Sequence, residues 1–156
     1  MSVTTVNPAT GAALATYEET TSEELDAVLD RAHAAAAVWR DTPVGERADG
    51  LRRLAATMRE RIDELALLAT REMGKPLEDS RAEVEKCAWC FEWFADNGPA
   101  MLERSVVDTG AVRSFVAYVP LGVLFAIMPW NFPYWQVVRA LAPALTAGNV
   151  VVLKHA

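Results

Sequence analysis

A strand, a helix and a second strand that follow one another near the end of the chain constrain its fold more than any other feature. Val123–Met128 and Val150–Leu153 are short apolar runs, and Tyr134–Ala147 has helical spacing between them in spite of Pro143. Continuous apolar strands are typical of a sheet that is covered on both faces. The order of these segments predicts a βαβ unit with parallel strands and a right-handed crossover.

Polar side chains follow both predicted strands. Trp130 and Asn131 come after the first strand, and Lys154 and His155 come after the second. Because ligands of an open parallel sheet bind beyond the carboxyl ends of its strands, both pairs should face the same edge. An asparagine amide on a proline-bounded turn suits a developing oxyanion, and a lysine suits ribose hydroxyls or a phosphate. Two plainer alternatives stay open: Asn131 bonds the backbone of its own turn, and Lys154 is a solvated strand end.

The residues before this unit predict a helical layer. A capping box at Thr21–Glu24 should start the first helix, because each of the two side chains can satisfy a free backbone amide. An apolar stripe from Leu51 to Leu68 predicts a second helix that ends at Gly74, a favourable residue for a helix end. The break expected at Asn97–Pro99 ends a third helix.

Two further segments predict short strands. Val106–Asp108 and Ser114–Tyr118 flank Thr109–Ala111, which predicts a hairpin. Near the N-terminus, Asn7–Gly11 has the composition of a turn, and Leu14–Tyr17 after it is predicted to be a strand.

Composition and charge exclude several classes of partner. The net charge is −6 and the basic residues are scattered, so neither nucleic acid nor an anionic membrane is expected to bind. The uncharged stretch after Ser114 is interrupted by Pro120, Pro129 and Pro133, which disfavours a membrane span. The first residues lack the basic and apolar regions of a secretion signal, so a cytoplasmic location is expected.

The cysteines and glycines provide no site of their own. Cys87 and Cys90 have redox-motif spacing, but they lie in a predicted amphipathic helix without a second Cys/His pair. We therefore interpret them as buried helical thiols and expect no metal. The βαβ unit also lacks the G-x-G-x-x-G fingerprint, so glycine spacing does not indicate a dinucleotide site.

Several short motifs, which occur in one order along the whole chain, together resemble the aldehyde dehydrogenase superfamily. They are Asn7–Gly11, Glu72–Pro76, Pro120–Val123, Met128–Pro133, Pro143–Leu145, Ala147–Asn149 and Leu153–Lys154. The last residues, Leu153–Ala156, are similar to the corresponding segment of the NADP-dependent succinate-semialdehyde dehydrogenases.

The resemblance implies an α/β fold, namely an incomplete aldehyde dehydrogenase fold. Residues 1–104 would form the N-terminal helical part of the cofactor-binding domain, and residues 105–119 the oligomerisation hairpin. Residues 120–156 would be the first βαβ unit of the Rossmann-like cofactor domain, truncated at its end. The full-length form is expected to be a homo-oligomer, either a dimer or a tetramer.

The implied reaction is NAD(P)-dependent oxidation of an aldehyde to its carboxylic acid through a cysteine thioester. Succinate semialdehyde is the aldehyde that the resemblance favours. Asn131 would donate its amide to the oxyanion, and Lys154 would bind the adenosine ribose. The residues implied to bind the cofactor are Met128, Pro129, Trp130, Asn131, Lys154, His155 and Ala156. NADP is preferred to NAD, because no carboxylate follows the second strand through Ala156.

The same resemblance implies that the catalytic cysteine and general-base glutamate lie beyond Ala156. The isolated chain is therefore expected to be inactive toward aldehydes. An alternative of another class stays open, in which the chain is a catalytically inactive domain that binds a nucleotide or docks onto other subunits.

Overall fold

Helices make up most of the chain, and three pairs of strands accompany them. The computed structural model describes residues 2–156. In chain order the elements are β1 (Ser2–Val6), β2 (Ala13–Glu18), α1 (Ser22–Asp41), α2 (Val44–Glu60), α3 (Ile62–Met73), α4 (Leu77–Met101), β3 (Ser105–Val106), β4 (Phe115–Val116), β5 (Val123–Ile127), α5 (Trp135–Thr146) and β6 (Val150–Lys154).

The core lies between α2, α4 and α5 and is built mainly from small side chains. Its buried residues are Ala48, Leu51, Ala55, Cys87, Ala88, Cys90, Phe91, Ala95, Val138 and Ala142. Small side chains let helix backbones approach closely, and the closest approach is at Gly98. A Cβ atom on Gly98 would lie 2.2 Å from Thr146 Cγ2, far inside contact distance. The packing of α4 on α5 therefore requires glycine here.

The break predicted at Asn97–Pro99 is wrong, because α4 continues to Met101. Pro99 lies in the last turn of the helix and has no N–H to donate to the carbonyl of Ala95. That carbonyl instead accepts a hydrogen bond from Arg52 Nη2 at 3.3 Å. A side chain from α2 thus satisfies the acceptor that the proline leaves free.

The second predicted helix is divided in the structure. Arg61 has φ −105° and ψ 18°, and it separates α2 from α3. The backbone still bonds across this point, since the Leu65 N–H donates to the Arg61 carbonyl at 3.0 Å. Two other predictions are confirmed: the capping box at Thr21 and Glu24 starts α1, and Gly74 ends α3 with a left-handed φ of 82°.

The N-terminal turn belongs to a hairpin whose first strand the sequence pattern did not reveal. β1 pairs antiparallel with β2, and the Asn7 carbonyl accepts from the Gly11 N–H at 2.8 Å in the turn. The turn packs on the end of α3, where a Cβ atom on Gly74 would lie 2.7 Å from Pro8 Cγ. Thr5 Oγ1 adds a hydrogen bond of 3.1 Å to Glu72 Oε1.

The hairpin predicted between Val106 and Tyr118 is confirmed, although its paired strands are shorter than predicted. β3 and β4 pair antiparallel through Ser105 with Val116 and Val106 with Phe115. Of the helices among residues 2–156, none combines the length and the apolar content that a membrane crossing requires.

β5 and β6 pair in parallel, as predicted, from Val123 opposite Val150 to Ile127 opposite Lys154. Both strands contact α1 and α5. The expectation that the strands are covered on both faces is wrong for β5 within residues 2–156. Phe125 and Ile127, which point to the same face, are 65% and 66% exposed. Apolar composition predicted the strand, but residues 2–156 leave that face largely uncovered.

Candidate functional site

The loop from Met128 to Tyr134 joins β5 to α5 and carries most of the predicted site residues. At its start, the Met128 N–H donates to the Lys154 carbonyl at 3.1 Å, which ties the ends of the two strands together. The prediction that both strands end at the same edge is therefore confirmed. Pro129 and Pro133 each fix one backbone φ angle within the loop.

Glu83 of α4 holds the other end of this loop. Its Oε1 atom accepts hydrogen bonds from the backbone N–H groups of Tyr134 at 2.9 Å and Trp135 at 2.8 Å. These groups are at the N-terminus of α5, where backbone donors lack helical partners and a negative charge is favourable. Glu83 is only 4% exposed. Its carboxylate therefore caps α5 from a neighbouring helix.

Lys75 completes the surroundings of this carboxylate. Its ammonium group forms a buried ion pair with Glu83 Oε2. The same Nζ atom lies 4.6 Å from the centroid of the Phe132 ring, a cation–π distance. Lys75 therefore neutralises Glu83 and also contacts the side chain next to Asn131.

Asn131 is exposed and borders an open cavity of about 600 Å³, called here the Asn131 cavity. The residues lining this cavity are Met73, Lys75, Asp79, Ala82, Glu83, Lys86, Trp130, Asn131, Phe132 and Trp135. Lys86 Nζ lies 3.9 Å from the ring centroid of Trp135. The cavity thus combines aromatic walls with the Asn131 amide and with charged groups from α4.

A second cavity of about 480 Å³, called here the His155 cavity, lies beside the first and shares Trp130 and Met73 with it. Five of the seven predicted cofactor residues line it: Met128, Pro129, Trp130, His155 and Ala156. Asn131 borders the neighbouring cavity, and Lys154 lines neither one. The structure therefore brings together residues from the ends of both strands.

The structure bears on the two plainer alternatives in different ways. Within residues 2–156, the Asn131 side chain makes no hydrogen bond to its own loop, so it does not act as a self-bonded turn residue. Lys154 is exposed at the end of β6, and this placement agrees with either a ligand-binding or a solvated lysine.

Sequence reasoning missed Glu83, although a signal was present. Ser80, Val84, Cys87 and Phe91 follow the spacing of the buried face of α4, and Glu83 is on that face. A carboxylate among buried positions requires a partner. Asn149, which follows α5, also makes contacts that the sequence did not predict: its Oδ1 accepts from the N–H groups of Leu121 at 2.7 Å and Gly122 at 3.0 Å.

The two cysteines are buried, as predicted. Burial raises the pKa of the Cys87 thiol to about 12, and it also raises the pKa of Cys90. A thiol that keeps its proton at neutral pH is a poor nucleophile. No group of three or more metal-binding side chains occurs among residues 2–156.

Comparison with known proteins adds to this geometry. The chain matches the aldehyde dehydrogenase family over residues 1–156. It is 47% identical over 156 residues to a probable succinate-semialdehyde dehydrogenase (NADP+) of Synechocystis sp., covering 100% of this chain and 34% of that protein. It is 44% identical over 159 residues to succinate-semialdehyde dehydrogenase (NADP+) 1 of Mycobacterium tuberculosis, covering 100% of this chain and 35% of that protein.

The fold is similar to that of a succinic semialdehyde dehydrogenase from Streptococcus pyogenes, which was crystallised in complex with NADP+. The TM-score is 0.94 at 34% identity, over 98% of this chain and 34% of that chain. The predicted α/β fold class is therefore confirmed. The chain spans about a third of the length of these relatives.

Proposed function

The chain belongs to the aldehyde dehydrogenase family, and from this membership we propose that it takes part in the NAD(P)-dependent oxidation of an aldehyde to a carboxylic acid. The observation that carries the proposal is the position of Asn131. Asn131 is exposed, its side chain makes no hydrogen bond to its own loop, and it borders the Asn131 cavity at the carboxyl edge of two parallel strands. Ligands of such sheets bind at this edge.

The Asn131 amide would stabilise negative charge on the aldehyde oxygen. An N–H donor held in place before the reaction loses no energy to reorganisation when charge develops on the oxygen. One such donor typically contributes ~3 kcal/mol of transition-state stabilisation. Its contribution should appear in kcat more than in KM, because the hydrogen bond strengthens only as the charge forms.

The nucleophile must come from outside residues 2–156. A cysteine thioester requires an accessible thiolate, whereas Cys87 and Cys90 are buried and have raised pKa values. We propose that the nucleophilic cysteine and the general-base glutamate are provided by other residues of the catalytic unit. The 156-residue chain by itself should then not oxidise aldehydes.

The residues at the strand ends fit a nicotinamide cofactor. The His155 cavity has a volume within the usual range of small-molecule sites, and the neighbouring Trp130 is exposed. Met128, Pro129 and Trp130 would hold the nicotinamide-ribose side of the cofactor. Lys154, with His155 and Ala156 beside it, would hold the adenosine ribose. A bound nicotinamide cofactor supplies the hydride acceptor for the oxidation.

We propose NADP as the preferred cofactor and succinate semialdehyde as the substrate. The relatives at 47% and 44% identity are named for both compounds, which supports the assignment. The charge at the end of β6 supports NADP as well, because Lys154 is a cation and no side-chain carboxylate occurs from there to Ala156. A carboxylate at such a position would accept ribose hydroxyls and repel a 2′-phosphate.

We also propose the division of the chain into a helical part (1–104), an oligomerisation hairpin (105–119) and a βαβ unit (120–156). Support for the hairpin comes from its exposed apolar residues, of which Val106 is 84% exposed. A homo-oligomer would cover this surface.

The test is a steady-state assay of the complete gene product that contains residues 1–156, with succinate semialdehyde and either NADP+ or NAD+. Asn131→Ala should lower kcat by ~10²–10³-fold with a much smaller change in KM. Asn97→Ala is the matched control, because the Asn97 side chain bonds only the carbonyl of Trp93 on an exposed face of α4. Its kinetics should match the wild type.

Three results would contradict the proposal. An Asn131→Ala variant whose loss lies entirely in KM would show that Asn131 only positions the substrate. Equal binding of both cofactors, with Lys154→Ala weakening both to the same extent, would contradict the NADP assignment. Cofactor reduction by the 156-residue chain alone, above a blank without aldehyde, would contradict the need for an outside nucleophile.

A further inference from the structure

We propose that Glu83, held in place by Lys75, is a positioning residue that sets the location of the Asn131 amide. The inference rests on the proposed role of Asn131 in aldehyde oxidation. In this proposal, a buried ion pair of the helical layer supports the Asn131 loop of the neighbouring βαβ unit.

Asn131 does not hold itself in place. Its side chain is exposed and makes no hydrogen bond within residues 2–156. The loop backbone therefore places the amide by setting the position of the Asn131 Cα atom, from which the side chain extends. A donor to a developing oxyanion needs a fixed position, because small displacements of a catalytic group reduce the rate steeply.

The loop backbone is anchored on both sides of Asn131. On one side the Met128 N–H is bonded to the Lys154 carbonyl at 3.1 Å. On the other side the N–H groups of Tyr134 and Trp135 are bonded to Glu83 at 2.9 and 2.8 Å. Only residues 129–133 lie between these anchors, and two of the five are prolines. Few backbone angles are then free to move Asn131.

The bonds from Glu83 to the loop are favourable because two groups, the N-terminus of α5 and Lys75, compensate the charge of its carboxylate. One carboxylate oxygen faces the N-terminus of α5, and the other pairs with Lys75. The two side chains are only 2% and 8% exposed, so water competes little for these interactions. Lys75 Nζ also lies 4.6 Å from the Phe132 ring centroid, next to Asn131 in the chain. The ion pair thus contacts the loop at both its backbone and a side chain.

If Glu83 only capped α5, its role would be purely structural. A structural role and a positioning role predict different effects on catalysis. A structural residue affects the amount of folded protein, whereas a positioning residue affects kcat through Asn131. Its effect should therefore disappear when the Asn131 amide is already absent.

The first experiment measures amide hydrogen exchange in residues 128–138 of the complete gene product. Glu83→Ala should speed exchange in this segment while the rest of α4 and α5 keeps its protection. Glu83→Gln keeps an oxygen that can accept from α5, so its exchange should lie closer to the wild type. Glu85→Gln is the matched control, since Glu85 is two residues away on the same helix, is exposed and pairs only with Arg59. Unchanged exchange in Glu83→Ala would overturn the anchor.

The second experiment is a double-mutant cycle on kcat, measured with saturating cofactor and succinate semialdehyde. Glu83→Ala should lower kcat by roughly 10- to 100-fold with a smaller change in KM, and Glu83→Gln should recover part of this loss. In the Asn131→Ala background, Glu83→Ala should lower kcat by less than about 3-fold. Glu85→Gln should leave both backgrounds unchanged.

Each outcome decides the proposal. If Glu83→Ala has the same effect on kcat with and without the Asn131 amide, Glu83 is structural and the positioning role is wrong. If the wild-type product shows no aldehyde oxidation, the proposed function fails and the positioning role falls with it. In that case the exchange experiment still reports whether Glu83 anchors the loop, so the two failures are distinguishable.

Discussion

Gly98 lets α4 approach α5 because it has no side chain. The nearest obstacle to a Cβ atom is Thr146 Cγ2 at 2.2 Å. Gly74 has a comparable task at the end of α3, where it combines a left-handed φ with close contact to Pro8. Both glycines resemble helix stops in the sequence. In the structure, side-chain atoms of Thr146 and Pro8 occupy the space that a Cβ atom on Gly98 or Gly74 would need, so no larger residue fits.

Gly98→Ala should lower the free energy of unfolding by about 1–3 kcal/mol, because the added methyl group overfills the contact. Urea unfolding measures the change. Thr146→Ser removes Cγ2 and keeps the hydroxyl that bonds the Ala142 carbonyl at 2.8 Å. The double variant should therefore regain most of the lost stability.

Gly45→Ala is the matched control for this prediction. Gly45 is also a helical glycine, but nothing lies within 4 Å of its added Cβ. Its substitution should raise stability by ~0.5–1 kcal/mol through helix propensity. If both alanine variants were stabilising, the close contact at Gly98 would not determine the packing.

At the scale of elements, α5 is held at both ends by groups of suitable charge from the helical layer. Glu83 meets its N-terminus. At its C-terminus, Arg47 Nε donates to the Thr146 carbonyl at 3.1 Å, and Trp39 Nε1 donates to the Leu145 carbonyl at 2.9 Å. Each charge complements the helix dipole at its end. The helix that follows the Asn131 loop is thus fixed along its axis.

Arg47→Met should lower the free energy of unfolding by about 1–3 kcal/mol, since it leaves buried carbonyl oxygens without a donor. Burial already lowers the pKa of Arg47, whose guanidinium also donates to the Thr42 carbonyl at 2.5 Å. Methionine keeps much of the side-chain length, so lost packing contributes little. Thermal or urea unfolding measures the difference.

Arg40→Met is the control for the arginine substitution. Arg40 is exposed and pairs only with its neighbour Asp41. Exposed ion pairs contribute little, so this variant should change stability by less than about 0.5 kcal/mol. Equal losses in the two variants would mean that the bonds to α5 do not stabilise the fold.

For the whole molecule, the packing between the helices keeps three acidic groups neutral. Burial is the main cause that raises the pKa of Cys87 to about 12, that of Tyr134 to about 12, and that of Cys90 above its usual range. Tyr134 packs against the helical core, and its hydroxyl donates a hydrogen bond to the Leu65 carbonyl at 2.9 Å. All three groups keep their protons in the folded state at pH values where the unfolded chain loses them.

The free energy of unfolding should therefore fall as the pH rises from about 9 toward 12. Below the unfolded pKa values the groups are protonated in both states and their contribution is fully present. Above them only the unfolded state releases protons, which favours unfolding until the folded pKa is passed. Urea unfolding at a series of alkaline pH values measures this slope.

Tyr134→Phe and Cys87→Ala should each make this slope shallower, whatever they do to stability at neutral pH. Tyr118→Phe, which removes the hydroxyl group of an exposed tyrosine, is the control for the substitution itself. An unchanged slope in both buried variants would show that these groups do not control alkaline unfolding.

The amino-acid sequence by itself determined the features that depend on neighbouring residues. The capping box of α1, the left-handed end of α3 and the parallel pairing of β5 and β6 were all predicted and are confirmed. Each follows from local backbone preferences or from apolar runs of characteristic length. The motif after β5 likewise identified the exposed Asn131 as the candidate donor.

Only the tertiary structure decided which distant groups complete these elements. Pro99 lies within α4, and Arg52 of α2 bonds the Ala95 carbonyl that the proline leaves free. Glu83 caps α5 although 51 residues separate it from Tyr134. A sequence pattern reports what one residue prefers among its neighbours. It does not show which donor or acceptor the folded chain brings to it, and that partner determines whether a proline ends a helix or a buried carboxylate is stable.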